Sequence, residues 1–394
     1  GTNGKGLRFS TPTFNDPIKP KEIWSIGEPE SNRYWFPCYD APNDLRTTEF
    51  IATVDKKLQV ISNGKLIECK TNTDNTKTYH WKSDIPYANH LTSFVVGEFL
   101  DVQENYDNFI IHNYGAAKEM DWVAASVVRL SDMMTYYSKS IGLPYPFPRY
   151  SQVFVQDIGS YTSNQAVASI TENMIDDKST HDDFFYLWDL TESEALAQQW
   201  FGNYITASDW SDVWLNKAMA HYFSQLYNKH KNGKAEYLLY QHAFDQSIYL
   251  ADWNAGYRHP IVTKHYDDVT AFVNDNYAGI RGALVLNMLH KHLGEEKWWK
   301  TIKLYTQSNA GKSVNTSNLL KAAEEASGEK LDWFFDQWIY SMGHPVFVVT
   351  KQYDAVHKEL KIDVKQTQSI NLKDEFPQVK YFNGKVDIEI DGKI

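Results

Sequence analysis

Hydrophobic and polar residues follow two different periods along the chain. Residues from about 8 to 100 form short runs of β-branched and aromatic residues, and the Asn63-Gly64 pair supplies a turn between two runs. Over 121–142 the apolar residues recur at helical spacing, and this segment ends on Gly142, a residue that favours a helix C-cap. The pattern predicts a strand-rich N-terminal part followed by helices.

The middle of the chain is predicted to be mainly helical. This helix-rich region runs from about Asp183 to Met342, and alternation returns in VFVVTKQYD (346–354) and LKIDVKQTQ (360–368). The final stretch, VDIEIDGKI (386–394), also alternates and predicts a strand. Because no closing element follows this strand, we expect the sequence to be a piece of a longer protein.

The order of these elements predicts an α+β multidomain protein. At 394 residues, the chain is long enough for about two or three domains. We expect an N-terminal β domain, an α/β domain and the beginning of a C-terminal β-sandwich, at residues 1–102, 103–342 and 343–394.

The composition is that of a folded, acidic protein. Apolar residues make up 42% of the chain and aromatic residues 15%, which favours a well-packed core. The formal net charge of −11 argues against a nucleic-acid-binding protein, which needs a basic surface. No apolar run approaches the roughly 20 residues that span a bilayer, so no transmembrane segment is expected. The cysteines, Cys38 and Cys69, match neither a disulfide framework nor a metal motif.

The segment TESEALAQQWFGN (191–203) carries the most specific motif of the sequence. It resembles the H-E-x-x-H-Q-W-F-G-N helix of the membrane-alanyl-aminopeptidase family of zinc metallopeptidases. Further segments are similar to motifs of that family and occur in the same order: SNRYWFPCYDAPN, ANHLTSFVVGEF, LPYPFPRYSQVFV, SDWSDVWLNKAMAHYF and IRGALVLNMLHKHLG. The resemblance implies an N-terminal β domain of aminopeptidase type, a thermolysin-like α/β domain with the gluzincin fold, and a following β-sandwich.

The resemblance also identifies the positions at which the family carries its zinc site. The first ligand histidine of the family falls on Glu194, the general-base glutamate on Ala195 and the second ligand histidine on Gln198. The third ligand, a glutamate on the next helix, falls on Lys217, because the family's eighteen-residue spacer separates Gln198 from Lys217 without insertion. All four positions therefore differ from the family pattern.

Other functional positions of the family are also changed. Its catalytic tyrosine falls on Gly279, and Tyr277 lies two residues away, with its relation to that tyrosine left open. The strand G-A-M-E-N, whose glutamate holds the substrate's free amine, is similar to SYTSN, which puts Ser163 at the glutamate. The residues expected to line a peptide-binding cleft are Ser163, Asn164, His221 and Tyr277.

This set of residues does not suit zinc. Zinc is held by imidazole, thiolate or carboxylate groups, usually three from the protein in a catalytic site. An ammonium group about 4 Å from a dication, at an effective dielectric constant of about 20, is unfavourable by about 8 kcal/mol. Ala195 cannot accept a proton, so the general base is also missing. We therefore expect no zinc, no other cofactor and no catalytic residues of the family type.

Charge pairing predicts what takes the place of the metal. Glu194 and Gln198 share one face of a helix, and Lys217 comes from the neighbouring helix. We expect a Glu194–Lys217 ion pair with Gln198 as its hydrogen-bonding neighbour, because a buried charge is very costly without a partner. The alternative is that the three side chains point into a solvent-filled cleft without meeting.

These observations predict a pseudoenzyme, a catalytically inactive homologue of zinc aminopeptidases that binds a peptide or protein or serves a larger assembly. Two alternatives remain. The protein is an active aminopeptidase with a rebuilt site, or the segment is an inactive part of a longer active enzyme. The resemblance to bacterial envelope members of the family suggests an extracytoplasmic location.

Overall fold

The computed structural model describes residues 5–117 and 120–388. The strands, in chain order, are β1 (Gly6–Ser10), β2 (Glu22–Ile26), β3 (Leu45–Asp55), β4 (Gln59–Ser62), β5 (Lys65–Thr71), β6 (Thr76–Ala88), β7 (Phe94–Gly97), β8 (Phe99–Tyr106), β9 (Phe109–Ala116), β10 (Tyr150–Val155), β11 (Tyr161–Asn164), β12 (Val167–Thr171), β13 (Thr206–Ala207), β14 (Ser313–Val314), β15 (Phe347–Asp354) and β16 (Glu359–Gln366). The α-helices are α1 (Met120–Ser126), α2 (Leu130–Ile141), α3 (Lys178–Ala197), α4 (Trp214–Asn232), α5 (Lys234–Leu239), α6 (Gln246–Ala255), α7 (Val269–Val273), α8 (Gly282–Leu293), α9 (Glu295–Asn309), α10 (Thr316–Ser327) and α11 (Asp332–Trp338).

The N-terminal part consists of two antiparallel sheets, which confirms the strand-rich beginning of the chain. One has the strand order β1-β2-β7-β4 and the other β3-β6-β5. The predicted Asn63-Gly64 turn joins β4 to β5, and Gly64 has a φ of +76°. A Cβ atom at this position would lie 2.0 Å from the carbonyl oxygen of Lys82, so the close approach of the turn to β6 requires glycine.

A five-stranded mixed sheet begins the helix-containing part, with the order β11-β12-β10-β9-β8. Its central strand β10 runs parallel to both β9 and β12, and all six of its residues are buried. This burial on both faces explains why the sequence of β10 shows no alternation of polar and apolar residues. Helix α3 packs on this sheet and α4 packs along α3.

The helices differ from the sequence prediction in two respects. The helix predicted over 121–142 consists of two helices, α1 and α2. The predicted end is correct: α2 ends at Ile141, and Gly142, its C-cap residue, has a φ of +73°. π-Helical turns occur at Tyr240–Asp245, between α5 and α6, and at Tyr277–Arg281, in front of α8. A π turn adds one residue to a helical turn, which periodicity alone does not reveal.

The described C-terminal residues contain an antiparallel hairpin of β15 and β16, which confirms the alternation of residues 346–368. The strand predicted over 386–394 lies mostly outside the described residues, and 386–388 have no regular secondary structure. The domain boundaries at 102 and 342 and the continuation into a β-sandwich stay predictions. Within the described residues, every helix is too short or too polar to cross a bilayer.

Candidate functional site

Two packed helices, α3 and α4, carry the positions that the motif analysis identified. Asp177 caps the N-terminus of α3 by accepting hydrogen bonds from the amides of Ser179 and Thr180. The C-terminal end of α3 is held by Trp200, which is fully buried and donates its indole N–H to the carbonyl oxygen of Leu143. This end of α3 therefore presents Glu194 and Gln198 to α4 from a rigid frame.

Tyr161 of β11 joins Glu194 of α3 to Gln198, the residue that follows the last turn of this helix. Its hydroxyl group donates to Glu194 Oε1 at 2.9 Å and accepts from Gln198 Nε2 at 2.7 Å. Burial, together with the neighbouring Glu194 carboxylate, raises the pKa of Tyr161 well above its usual value, so the hydroxyl keeps its proton and can donate. The side chains of Glu194 and Gln198 are thus held by a protein group.

His221 of α4 bridges two carboxylates. Its Nδ1 lies 2.8 Å from Glu194 Oε2, and its Nε2 lies 3.2 Å from Asp245 Oδ1. Gln225 also donates a short hydrogen bond to Asp245 Oδ2. Asp245 reaches this position because it ends the π-helical turn at Tyr240–Asp245.

Electrostatics fixes the charge state of this bridge. Burial alone would lower the pKa of His221, but the carboxylates of Glu194 and Asp245 raise it well above its usual value. Burial alone would raise the pKa of Glu194, but His221, the Tyr161 hydroxyl and Lys217 bring it below its usual value. At neutral pH, a charged imidazolium therefore sits between two carboxylates.

The predicted Glu194–Lys217 ion pair is wrong. Lys217 Nζ lies 3.0 Å from Glu28 Oε1, with side-chain exposures of 22% and 31%. Glu28 follows β2, so the pair connects the N-terminal strands to α4. Glu194 is neutralised by His221 instead, and this leaves the lysine available for a carboxylate from another part of the chain. The His221 imidazole suits Glu194 better than the Lys217 ammonium group does, because its two nitrogen atoms contact the carboxylates of Glu194 and Asp245 at the same time.

The Glu28 side chain is partly exposed and lies beside the buried His90 ring. Burial by itself would raise the pKa of this carboxyl group, but Lys217 and His90 bring it below its usual value. The neighbouring His90 is only 4% exposed, and burial lowers its pKa to about 4, so its ring is neutral near pH 7. Lys217 is thus the cation that balances Glu28.

The positions of the family's general base and catalytic tyrosine carry no reactive side chain. Ala195 is fully buried in α3, between the neighbouring ligand positions. Gly279 lies within the second π turn, and a Cβ atom built on it would be 3.9 Å from Cβ of Lys217. The structure therefore brings Gly279 next to the third ligand position, as the motif register implies, but without a hydroxyl group.

The residues expected to line a peptide cleft have buried side chains, apart from His221. The Ser163 hydroxyl donates to the carbonyl oxygen of Ala195 at 2.8 Å, and Asn164 is only 1% exposed. Tyr277 is 2% exposed and donates to the carbonyl oxygen of Tyr257 at 2.6 Å, away from Glu194. That these residues bind a peptide stays a prediction.

Three residues of the site were missed by the sequence analysis: Tyr161, Glu28 and Asp245. Tyr161 could have been found, because it falls on the alanine of the G-A-M-E-N strand and is much larger than that residue. Glu28 and Asp245 belong to other elements, and no spacing rule relates them to α3 or α4. Their placement is a consequence of the tertiary fold.

The arrangement does not fit a zinc ion. Glu194 is the single carboxylate at the three former ligand positions, and both its oxygen atoms already accept hydrogen bonds. Gln198 offers a neutral amide and Lys217 an ammonium group, which repels a dication. Among the described residues, no group of three or more histidine, cysteine, aspartate or glutamate side chains is arranged to hold a metal ion.

Comparison with known proteins identifies the class to which this fold and site belong. Residues 126–338, more than half of the chain, match the Peptidase family M1 domain, and residues 12–91 match the Peptidase M1 N-terminal domain. The chain belongs to the M1 peptidase family, a family of zinc-dependent aminopeptidases, which confirms the resemblance found in the motifs.

Individual relatives include both enzymes and a protein named for a different role. Glutamyl aminopeptidase of Rattus norvegicus is 24% identical over 376 residues, covering 93% of this chain and 40% of the relative. Aminopeptidase A of Gloydius brevicauda is 26% identical over 390 residues, covering 93% and 39%. Transcription initiation factor TFIID subunit 2 of Drosophila melanogaster is 24% identical over 378 residues, covering 85% and 31%. The chain therefore spans less than half of each of these relatives.

Proposed function

We propose that this protein is a catalytically inactive member of the M1 family that binds a peptide or protein as a structural component of a larger assembly. The observation that carries the proposal is the set of contacts at the three former ligand positions. Glu194 is hydrogen-bonded to His221, Gln198 donates a hydrogen bond to Tyr161, and Lys217 forms an ion pair with Glu28. At the positions where the family binds its metal, the side chains of this protein thus contact one another.

Hydrolysis by the family's mechanism would need three groups whose positions carry other residues here. A metal or another electrophile must polarise the peptide carbonyl, a base must activate water, and a donor must stabilise the oxyanion. Alanine occupies the base position and glycine the tyrosine position. The imidazolium of His221 cannot act as a base, because its two nitrogen atoms already serve Glu194 and Asp245.

A role in an assembly is supported by one of the relatives. The Drosophila protein is named as a subunit of a transcription initiation factor, although it shares the M1 similarity with the aminopeptidases. A relative of this chain is therefore named for membership of a complex, and a fold by itself does not determine function. The partner and an extracytoplasmic location stay proposals.

The test combines metal analysis with an activity assay. Purified protein is analysed for zinc and then incubated with a panel of aminoacyl-anilides, with and without a chelator. We expect no stoichiometric zinc and no chelator-sensitive turnover. Stoichiometric zinc with chelator-sensitive cleavage would establish the alternative, an active aminopeptidase with a rebuilt site.

The same measurements on the full-length protein address the second alternative. If this segment is an inactive part of a longer enzyme, the full-length protein will hydrolyse the anilides while the segment does not. Affinity purification of the intact protein from its source, followed by identification of the co-purifying proteins, tests the assembly role. Recovery of the protein as a monomer without partners would contradict it.

A further inference from the structure

A groove of about 740 Å³ lies between the N-terminal strands and the helix-containing part, separate from the former zinc positions. Its walls come from the β4–β5 turn, β6, the β8–β9 turn, α2 and the proline-rich segment 143–150. None of Glu194, Gln198 and Lys217 lines it. The volume lies within the range of about 300–1,000 Å³ that is typical of ligand-binding sites.

One wall of the groove is a row of aromatic rings. The ring centroids are 5.5 Å apart for Tyr106 and Phe109, 5.2 Å for Phe109 and Tyr145, and 5.6 Å for Tyr145 and Phe147. The hydroxyl groups of the two tyrosines have partners within the protein: Tyr145 donates to the Arg149 carbonyl oxygen at 3.1 Å, and Tyr106 accepts from Thr135 Oγ1 at 3.3 Å. Phe147 is only 4% exposed and supports the row from below, so the apolar surface is offered by the partly exposed rings of Tyr106, Phe109 and Tyr145. Aromatic-lined grooves of this kind bind proline-rich extended peptides in other proteins.

The groove also carries lysines that have no acidic partner. Lys82 pairs with Asp84 at 3.0 Å, whereas Lys65 and Lys139 make no ion pair with any described residue. Asp107 is the remaining charged residue of the lining, so the groove has a formal charge of +1 in a chain whose net charge is −11. Local positive charge on an acidic protein favours an occupant with carboxylate groups.

The groove continues over α2 into a second cavity of about 540 Å³. Thr135 and Lys139 line both cavities, and the second one is also lined by Asp132, Tyr136, Ser140, His230 and Trp299. The Asp132 carboxylate is paired with Lys231 at 2.8 Å, so its charge is balanced within the protein. A ligand that crosses from one cavity to the other passes the Lys139 side chain and meets aromatic surface on both sides. An extended chain suits this shape better than a compact small molecule.

We propose that this groove binds an extended, proline-containing peptide segment of a partner protein, with its carboxylate groups on Lys65 and Lys139. The proposal rests on the proposed function as a protein-binding component and names the chemistry of the partner. Proline rings pack on Tyr106, Phe109 and Tyr145, and the polyproline II conformation presents acidic side chains at regular intervals without a large ordering entropy.

The probe is a fluorescein-labelled, acetylated peptide of alternating proline and aspartate, and binding to the whole chain is followed by fluorescence anisotropy. The groove variant is the double substitution Lys65→Glu and Lys139→Glu, both at exposed positions. Its matched control is Lys70→Glu with Lys321→Glu, which reverses two exposed lysines on β5 and α10 outside the groove. We expect the groove variant to bind about tenfold more weakly and the control to bind like the unmodified protein.

Two comparison peptides separate charge from shape. A peptide with glycine and serine in place of proline keeps the carboxylates, and a peptide of alternating proline and lysine keeps the backbone shape. We expect both to bind more weakly than the proline–aspartate peptide. Equal binding of all three peptides, no binding of the proline–aspartate peptide, or equal weakening by the groove and control variants would overturn the proposal.

These outcomes are distinct from a failure of the proposed function. Zinc content and anilide turnover report on the former active site, and the groove substitutions leave its residues untouched. If the peptide does not bind while the protein still lacks zinc and turnover, the groove proposal fails and the proposed function stands. If zinc-dependent turnover is found, the proposed function fails whatever the peptide does.

Discussion

The Lys217 ammonium group lies 3.0 Å from Glu28 Oε1, so a residue at a former zinc-ligand position now connects helix α4 to the N-terminal strands. Because both side chains are partly exposed, the pair is worth about 1 kcal/mol at most. A double-mutant cycle with Lys217→Met and Glu28→Gln, measured by urea denaturation, will give a coupling free energy of this size. A coupling energy of zero would mean that the two groups do not interact in solution.

The imidazolium of His221 is expected to matter more for stability. Replacing it by leucine leaves Glu194 and Asp245 without their shared cation, and Asp245 is almost fully buried. Removing one partner of such a group of charges costs about 3–5 kcal/mol. We expect His221→Leu to lower the free energy of unfolding by about this amount, as measured by urea denaturation.

The control for this prediction is His265→Leu, which removes an exposed histidine paired loosely with Glu375 at 3.8 Å. It should change the free energy of unfolding by less than about 0.5 kcal/mol. Adding Glu194→Gln to His221→Leu should restore part of the lost stability, because one of the unpaired carboxylates is removed. If His221→Leu is no worse than the control, the charged bridge is not a stabilising feature.

A buried glutamate on α3 gives a prediction for pH dependence. Burial raises the pKa of Glu192 to about 8, and the nearby Asp189 and Glu104 carboxylates act in the same direction, while a hydrogen bond from Gln152 opposes them. The folded protein therefore keeps the proton of Glu192 at pH values at which the unfolded chain has released it. The contribution of Glu192 to the free energy of unfolding therefore falls by about 1.4 kcal/mol per pH unit as the pH rises from 4.5 to about 8.

The variant Glu192→Gln has no proton to release and should lose this contribution. The difference in unfolding free energy between Glu192→Gln and the unmodified protein will therefore grow in favour of the variant as the pH rises from 5 to about 8. Glu325→Gln, at an exposed position of α10, is the control and should show no such trend. A constant difference across this pH range for Glu192→Gln would contradict the raised pKa.

Tyr161 is predicted to oppose metal binding independently of the ligand substitutions. The threefold variant Glu194→His, Gln198→His and Lys217→Glu restores the zinc ligands of the family, but the Tyr161 hydroxyl still lies between the first two positions. We expect zinc affinity, measured by competition with a chromophoric chelator, to increase clearly when Tyr161→Ala is added. Equal affinities of the threefold and fourfold variants would show that the tyrosine does not fill the ligand space.

The sequence predicted the two helices of the site and their register better than the contacts between the side chains. The motifs QWFGN and WLN fixed the register of α3 and α4, and the structure brings Glu194, Gln198 and Gly279 to the same region. These motifs are local patterns of packing residues, and such patterns are readable from one sequence.

The partner of each charge could not be predicted in the same way. Lys217 is nearly two hundred residues from Glu28, and nothing in the sequence around either residue indicates that they meet. Asp245 reaches His221 through a π-helical turn, which shifts the register of the helix by one residue and is invisible to a search for helical periodicity. Long-range pairing of this kind depends on the whole fold, so the Glu194–Lys217 prediction failed while the register was right.

The pairing of Lys217 with Glu28 also constrains how such a protein could change over evolutionary time. Lys217→Glu alone would set a new carboxylate beside Glu28 and close enough to Glu194 to repel it, without creating a metal site. Gln198→His alone would remove the amide group that donates to the Tyr161 hydroxyl. Each of these two substitutions would therefore remove a contact that the fold makes, and neither would by itself assemble a metal site.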